Sequence, residues 1–186
     1  MEELTTYKMS DICHTITDGD HMPPPKVKQG VPFITIGDID TFNAINFNNH
    51  SFTTQEYYEN LNSSRKAQTD DILYTVVGSF GIPVLVRENK AFIFQRHIAL
   101  LRPNKDLVYP PYLYYLMKNR DFYNVVDILA IGCAQRTLSL SSLRNIEVKI
   151  PSINKQKQIA NVLSSLDSKI ELNRRINDNL ISTYYA

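Results

Sequence analysis

The chain has 186 residues, of which 43% are hydrophobic and 21% charged, as expected for a soluble globular protein with one core and room for an appendage. Its net charge of +1 excludes nucleic-acid binding by bulk electrostatics alone, so any DNA contacts must come from clustered side chains and loops. No basic region followed by an apolar run marks a secretion signal, and no apolar stretch reaches the roughly 18 residues of a membrane helix.

Cysteine and histidine usage predicts no disulfide, no metal site and no cofactor. The two cysteines, Cys13 and Cys133, are far apart and form no C-x-x-C motif, which indicates reduced thiols and a cytoplasmic location. The histidines show none of the usual metal-ligand spacings. They are His14, His21, His50 and His97.

Short runs of β-branched and aromatic residues, bounded by turn residues, predict strands in the first 150 residues. These runs are Val31–Ile36, Ile72–Val77, Ile82–Val86, Ala91–Leu101 and Ile146–Ile150. The segment Gly78–Gly81 predicts a turn between two of them. The sheet that they form is expected to be small and twisted or to close into a partial barrel.

Two short helices are predicted among these strands. Thr53 or Thr54 can cap a helix over Gln55–Leu61, and Pro110 begins another that reaches Lys118. Residues 1–150 therefore form an α+β unit, a small mixed domain of short strands and short helices, followed by a long C-terminal helix of the coiled-coil type.

That helix is predicted from the absence of Gly and Pro between Lys155 and Tyr185, with Ser152 or Asn154 as its N-cap. Its 31 residues span roughly 45 Å. A stripe at heptad spacing carries two polar positions. The stripe is Ile159, Leu163, Leu166, Ile170, Asn173, Asn177 and Leu180. So long a helix cannot bury the whole stripe on its own domain, so we expect a partner helix, with ordinary packing on the core as the alternative.

Catalytic motifs are scarce. Glu147 and Lys149 on a strand form half of a metal-dependent nuclease signature, which needs an upstream carboxylate such as Asp38 or Asp40. The segment Thr17–His21 could hold a metal through two carboxylates and an imidazole, although an Asp-capped turn explains it better. No phosphate-binding loop or nucleophile motif is present, so the chain is predicted to be non-catalytic.

Polar clusters at turns and strand ends are the remaining candidates for function. Their side chains are of the kinds that contact base edges and phosphates. The candidate DNA-binding residues are His21, Lys26, Lys28, Ser79, Arg96, Gln135, Arg136 and Thr137. Alternatively, alternation along an apolar strand would turn one of Gln95–His97 inward as a structural residue, and Gln135 and Arg136 would tie the domain to the long helix.

The sequence resembles the specificity subunit of type I restriction-modification systems. The matching stretches are Ile16–Pro24, Pro32–Ile39, Asp71–Val84, Phe94–Pro103 and Gly132–Leu140. In the helix, the matching positions are Pro151, Gln156, Ile159, Leu163, Leu166, Asp167, Lys169, Ile170, Asn173, Ile176 and Asn177.

The resemblance implies that residues 1–150 are a target-recognition domain for double-stranded DNA and that residues 151–186 are a spacer and dimerisation helix. The helix would pair antiparallel with another copy or another half of the subunit, and methyltransferase and restriction subunits would assemble on it, away from any membrane. Full-length members hold two domains and two helices, whereas this chain holds one of each. A metal-dependent nuclease and a protein–protein adaptor without a DNA role are the rival interpretations.

Overall fold

The computed structural model describes residues 4–47, 51–133 and 135–184, the last four of them as backbone only; His50 and Tyr185 lie outside these residues. It confirms the predicted fold class, because a mixed α+β unit is followed by one long helix. The strands are β1 (Thr5–Lys8), β2 (Cys13–Asp18), β3 (Val31–Ile34), β4 (Ser51–Thr53), β5 (Ile72–Thr75), β6 (Pro83–Leu85), β7 (Ile93–Phe94), β8 (Ile98–Pro103) and β9 (Glu147–Ile150). The helices are α1 (Gln55–Asn60), α2 (Pro110–Lys118), α3 (Arg120–Leu129), α4 (Leu140–Asn145) and α5 (Ile153–Tyr184), with short 3-10 turns at Ile36–Asp38 and Ser63–Arg65.

A four-stranded antiparallel sheet in the order β2-β8-β5-β6 lies at the centre of the domain. Because side chains alternate along a strand, neighbouring residues of β5 enter different cores. Ile72 and Tyr74 pack with α2, α3 and α4, whereas Leu73 packs with Ile34 and Phe94 of the β4-β3-β7 sheet. Both faces of the central sheet are therefore buried, and only its ends and edges reach solvent.

The predicted strand Ala91–Leu101 is wrong as one element. The chain forms β7 and β8 with a turn between them, in which the Ile98 N–H donates to the Gln95 carbonyl at 3.0 Å. The Arg96 N–H donates to the carbonyl of Asp20 at 3.0 Å, so the loop that follows β2 stabilises the turn between β7 and β8. Gln95–His97 therefore occupy a turn and not the interior of a strand.

The other predicted strands and helix α1 are present but shorter, whereas α2 has the predicted bounds and α5 begins two residues earlier than predicted. Thr54 is the N-cap of α1, since its hydroxyl accepts from the Tyr57 N–H at 3.2 Å. The patterns of β1, β2 and β4 escaped prediction because these strands are short and largely polar on one side. Helices α3 and α4 also escaped it: α4 has only six residues, and α3 exposes Val125, Ile128 and Leu129 while it buries Phe122 and Val126.

Helix α5 is fixed to the domain at its first turn. Ser152 precedes it, and the Gln156 N–H donates to the Ser152 carbonyl at 3.0 Å, whereas Asn154 lies inside the helix and is not its cap. The buried Gln156 side chain accepts from the Tyr109 N–H at 2.8 Å and donates to the carbonyls of Leu107 and Pro151 at 3.1 and 2.9 Å. One glutamine thus satisfies backbone groups at the start of α2 and at the entrance to α5.

Candidate nucleic-acid interface

Four polar segments meet at one end of the central sheet, which we call the loop end: residues 18–21, 76–81, 95–97 and 131–137. Strands β2 and β5 both run antiparallel to β8. The ends of β2 and β5 therefore lie beside the start of β8. This topology gathers segments that are more than a hundred residues apart in the sequence.

The segment that contains His21 contacts the turn that contains Arg96. The backbone N–H of Gly19 donates to the Ile98 carbonyl at 3.0 Å, and the backbone N–H of Asp20 donates to the Phe94 carbonyl at 2.8 Å. A side chain at Gly19 is excluded, because its β-carbon would lie 2.1 Å from the Phe94 carbonyl oxygen. His21 and Arg96 are both exposed, and the Arg96 guanidinium makes no hydrogen bond or ion pair with the described residues.

The carboxylates of this segment contact other side chains of the protein. Asp18 accepts from His21 Nε2 at 2.7 Å and contacts an Arg65 guanidinium nitrogen at 3.4 Å, while Asp20 accepts from the Tyr57 hydroxyl at 2.5 Å. Burial of the phenol, together with this hydrogen bond, raises the pKa of Tyr57 to about 12, so Tyr57 stays a donor across the physiological range. The segment is the Asp-capped turn favoured by its sequence, and side chains of the protein hold its two carboxylates in place.

The glycine turn and the segment 131–137 form the other half of the loop end. The Val76 N–H donates to the His97 carbonyl at 2.9 Å, and the Gly78 N–H donates to the Arg136 carbonyl at 3.0 Å. Thr137 bridges both Val77 and Ile131. Ser79 and Gln135 are exposed. Four predicted DNA-binding residues, Ser79, Gln135, Arg136 and Thr137, are thereby brought together with His21 and Arg96.

Arg136 is held by the protein itself. Its guanidinium bonds the Asp127 carboxylate at 2.5 Å, the Asp127 carbonyl, and the Ala130 carbonyl at 3.2 Å. It also lies 5.2 Å from the centre of the Phe80 ring, which stacks on Tyr123 at a 5° interplanar angle. Arg136 therefore caps the C-terminal end of α3 and fastens the glycine turn to it.

Lys26 and Lys28 lie apart from these contacts. Both are exposed and flank Val27, whose N–H donates to the Phe52 carbonyl at 3.0 Å beside β3 and β4. No hydrogen bond described in the structure joins either lysine to the loop end. Of the eight predicted residues, six are gathered at the loop end and these two lie on the approach to β3.

The candidate nuclease residues are on a different sheet. Glu147 and Lys149 are exposed on β9, which pairs only with β1. Asp38 accepts from the Thr35 N–H and hydroxyl, and Asp40 accepts from two backbone N–H groups of its own turn. Among the described residues, no three His, Cys, Asp or Glu side chains are grouped so as to hold a metal ion. A search of the same residues for a helix long and apolar enough to cross a membrane also found none.

Helix α5 has an inner and an outer face. The inner face packs on the domain through Gln156 and Ala160, with half-buried Ile159 beside them, and Leu163 is half-buried. On the outer face Leu166, Ile170 and Leu180 are 50%, 57% and 63% exposed. Val162, Asn173, Ile176 and Asn177 are also exposed. The predicted stripe is thus divided between the two faces, since its first residues contact the chain's own domain.

Sequence reasoning missed several side chains that shape the loop end. Tyr57 and Arg65 order the acidic segment, and Phe80, Tyr123 and Asp127 hold Arg136. None of these residues stands in a motif, because each acts through a partner that only the fold brings near. One signal was available in the sequence: an aromatic residue inside the Gly-Ser-Phe-Gly turn indicates that its ring packs against another part of the protein.

Comparison with known proteins assigns the family. Residues 1–181 match the type I restriction modification DNA specificity domain. The putative type I restriction enzyme MjaX specificity subunit of Methanocaldococcus jannaschii is 26% identical over 185 residues, covering 94% of this chain and 42% of that protein. The EcoBI specificity subunit of Escherichia coli is 26% identical over 144 residues, covering 77% of this chain and 30% of that protein.

Solved structures share the fold. The type I S subunit from M. genitalium superposes with a TM-score of 0.63 at 21% identity, covering 96% of this chain and 44% of that chain. The HsdS subunit from Thermoanaerobacter tengcongensis gives a TM-score of 0.66 at 15% identity, covering 93% and 44%. This chain therefore spans less than half the length of these relatives. Because the family match covers nearly all of its residues, the chain belongs to the type I restriction modification DNA specificity domain family.

Proposed function

We propose that this chain recognises one half of a bipartite DNA sequence for a type I restriction-modification complex and carries no catalytic chemistry itself. Residues 1–150 act as the target-recognition domain, and residues 151–186 act as the spacer helix. The helix joins another copy or another half of the specificity subunit, and the methyltransferase and restriction subunits assemble on that pair.

The observation that carries this proposal is the convergence of six polar candidate residues at the loop end. Arg96 offers a free guanidinium there, while His21, Ser79 and Gln135 add exposed donors and acceptors. Side chains of these kinds contact phosphates and base edges. Of the neighbouring carboxylates, Asp18 lies beside the Arg65 guanidinium, which reduces the repulsion that this acid would exert on DNA.

The outer face of α5 supports the assembly role. The exposed apolar residues of this face, although two amides interrupt them, are costly in water, and a second helix is the usual cover. The family match supports methyltransferase and restriction subunits as the remaining partners.

Methylation-site sequencing of DNA modified by the reconstituted complex tests the proposal. This chain, mixed with the methyltransferase subunit and a methyl donor, should mark a motif of two short half-sites separated by an unread gap. Replacing this chain by another member of the family should change the motif. Methylation at a motif that does not depend on which specificity chain is present would contradict the proposal.

The isolated chain should bind DNA weakly, with an affinity that falls steeply as salt rises, because a net charge of +1 allows few phosphate contacts. Incubation with magnesium and plasmid DNA should leave the plasmid intact. Nicking by the pure chain that disappears in Glu147→Ala would instead favour the nuclease interpretation.

A further inference from the structure

Helix α5 contacts the domain again well beyond its buried first turns. Asp167 accepts from the Tyr115 hydroxyl at 2.9 Å and lies 3.8 Å from Lys118 Nζ. Arg174 places its guanidinium 4.2 Å from the centre of the Phe42 ring. At about 1.5 Å per residue, the contacts from Gln156 to Arg174 extend over roughly 27 Å of the helix.

Phe42 is presented by a turn that its own hydrogen bonds hold firmly. The Asp40 carboxylate accepts from the N–H groups of Phe42 and Ala44, both at 2.9 Å. Asn43 takes a positive φ of 61° and its amide donates to the Pro83 carbonyl at 2.9 Å, which ties the turn to β6. A large aromatic ring at the tip of so ordered a turn is still 46% exposed, and Arg174 is its cationic partner.

Arg174 is oriented by its own helix. Glu171 accepts from an Arg174 guanidinium nitrogen at 3.3 Å and from Arg175 Nε at 2.9 Å. The Arg174 Nε is buried and has no hydrogen-bond partner in the described residues, and the guanidinium lies over the Phe42 ring. A cleft of about 600 Å³ is lined by this helix segment and by the turn of Phe42, so the contact bridges two surfaces across the cleft.

These contacts have a mechanical consequence. A helix pinned only at Gln156 could pivot, and a small change in its angle would move its far end by several ångströms. Contacts at Asp167 and Arg174 resist that pivot, because they hold the helix to the domain far from its first anchor at Gln156. The direction of the spacer relative to the loop end is therefore set by this chain before any partner binds.

We infer that the contact between Phe42 and Arg174, together with the bond between Asp167 and Tyr115, determines which gap between half-sites the assembled complex accepts. This inference rests on the proposed function, since the gap matters only if paired helices hold two recognition domains apart. Phe42 and Arg174 are positioning residues in this scheme: they touch no base, yet they fix where the bases are read.

Distance measurement in the free protein tests the clamp without DNA. Spin labels on Asn89→Cys and Asp178→Cys, in a chain with Cys133→Ser and diluted with unlabelled chain, report the angle between domain and helix. The distance distribution should be narrow in the parent and broader in Phe42→Ala and Arg174→Ala. Arg175→Ala is the matched control, because Arg175 bonds Glu171 but does not contact Phe42, and it should leave the width unchanged. An unchanged width in Phe42→Ala overturns the inference.

Methylation-site sequencing of the reconstituted complex supplies the second measurement. Loss of a cation–π contact should lower the preference for the parental gap over a gap one base pair longer or shorter by about fivefold. The half-site bases should stay the same. Unchanged gap selection with normal methylation would refute the role of the clamp and leave the proposed function intact. Absence of any bipartite motif in the parent complex would instead reject the proposed function.

Discussion

Arginine residues at the loop end have two different roles, although the sequence presents them alike. Arg136 is bonded to Asp127, to the end of α3 and to the Phe80 ring. Arg96 is exposed and its guanidinium has no hydrogen bond within the described residues. The first holds the interface together, and the second is available to a phosphate or a base.

Substitution separates these roles. Arg136→Ala should lower the free energy of unfolding by about 1–2 kcal/mol, mostly through loss of the bonds to helix-terminal carbonyls, since its exposed ion pair contributes little. Arg96→Ala should change stability by less than about 0.5 kcal/mol but weaken DNA binding by the complex. The slope of log affinity against log salt concentration should decrease by the amount that about one phosphate contact contributes. Denaturant titration and binding at several salt concentrations measure both effects. Equal loss of stability in the two variants would contradict this assignment.

At the scale of the element, α5 is anchored to the domain by one face and, under the proposed function, pairs with another helix through the other. Its inner face carries the polar Gln156 and Asp167 contacts, and its outer face carries exposed Leu166, Ile170 and Leu180. Asn173 and Asn177 interrupt the outer face with amides. An amide in an apolar seam reduces stability but disfavours misaligned partners.

Replacing both amides tests that property. Asn173→Leu with Asn177→Leu should strengthen helix association and at the same time broaden its register or stoichiometry, because no buried polar pair then penalises a shifted partner. Sedimentation measures the stoichiometry of the assembly, and thermal unfolding measures its stability. Asn161→Leu is the control, since Asn161 is exposed on another side of the helix and adds similar apolar surface. Unchanged mass and stability in the double variant would show that these residues do not enter the seam.

For the whole molecule, the proposed spacer should act as a ruler. Seven residues inserted after Arg175, just past the contact of Arg174 with Phe42, keep the outer face in phase and add about 10 Å. This length corresponds to roughly 3 base pairs at about 3.4 Å each. The recovered motif should keep its half-sites while its gap changes, although rotation of the far domain around the DNA should reduce activity. An altered half-site, or an unaltered gap, would leave the helix as an assembly handle only.

Local patterns in the sequence determined the kind of elements that form. The α+β class, the helix after Pro151, the Thr54 cap and the family resemblance all depend on neighbouring residues, whose spacing and chemistry can be read without the fold. The break between β7 and β8 could not be read in this way, because it is held by Asp20, which is distant in the sequence.

Only the tertiary structure decided which residues meet. Antiparallel pairing of β2 and β5 with β8 brings His21, Ser79, Arg96 and Gln135 to one end of the sheet. Packing on the domain turns the first residues of the helix stripe inward, and the turn that carries Phe42 reaches Arg174. These contacts join residues that are far apart in the chain. Their geometry follows from strand pairing and core packing, which local sequence patterns do not specify.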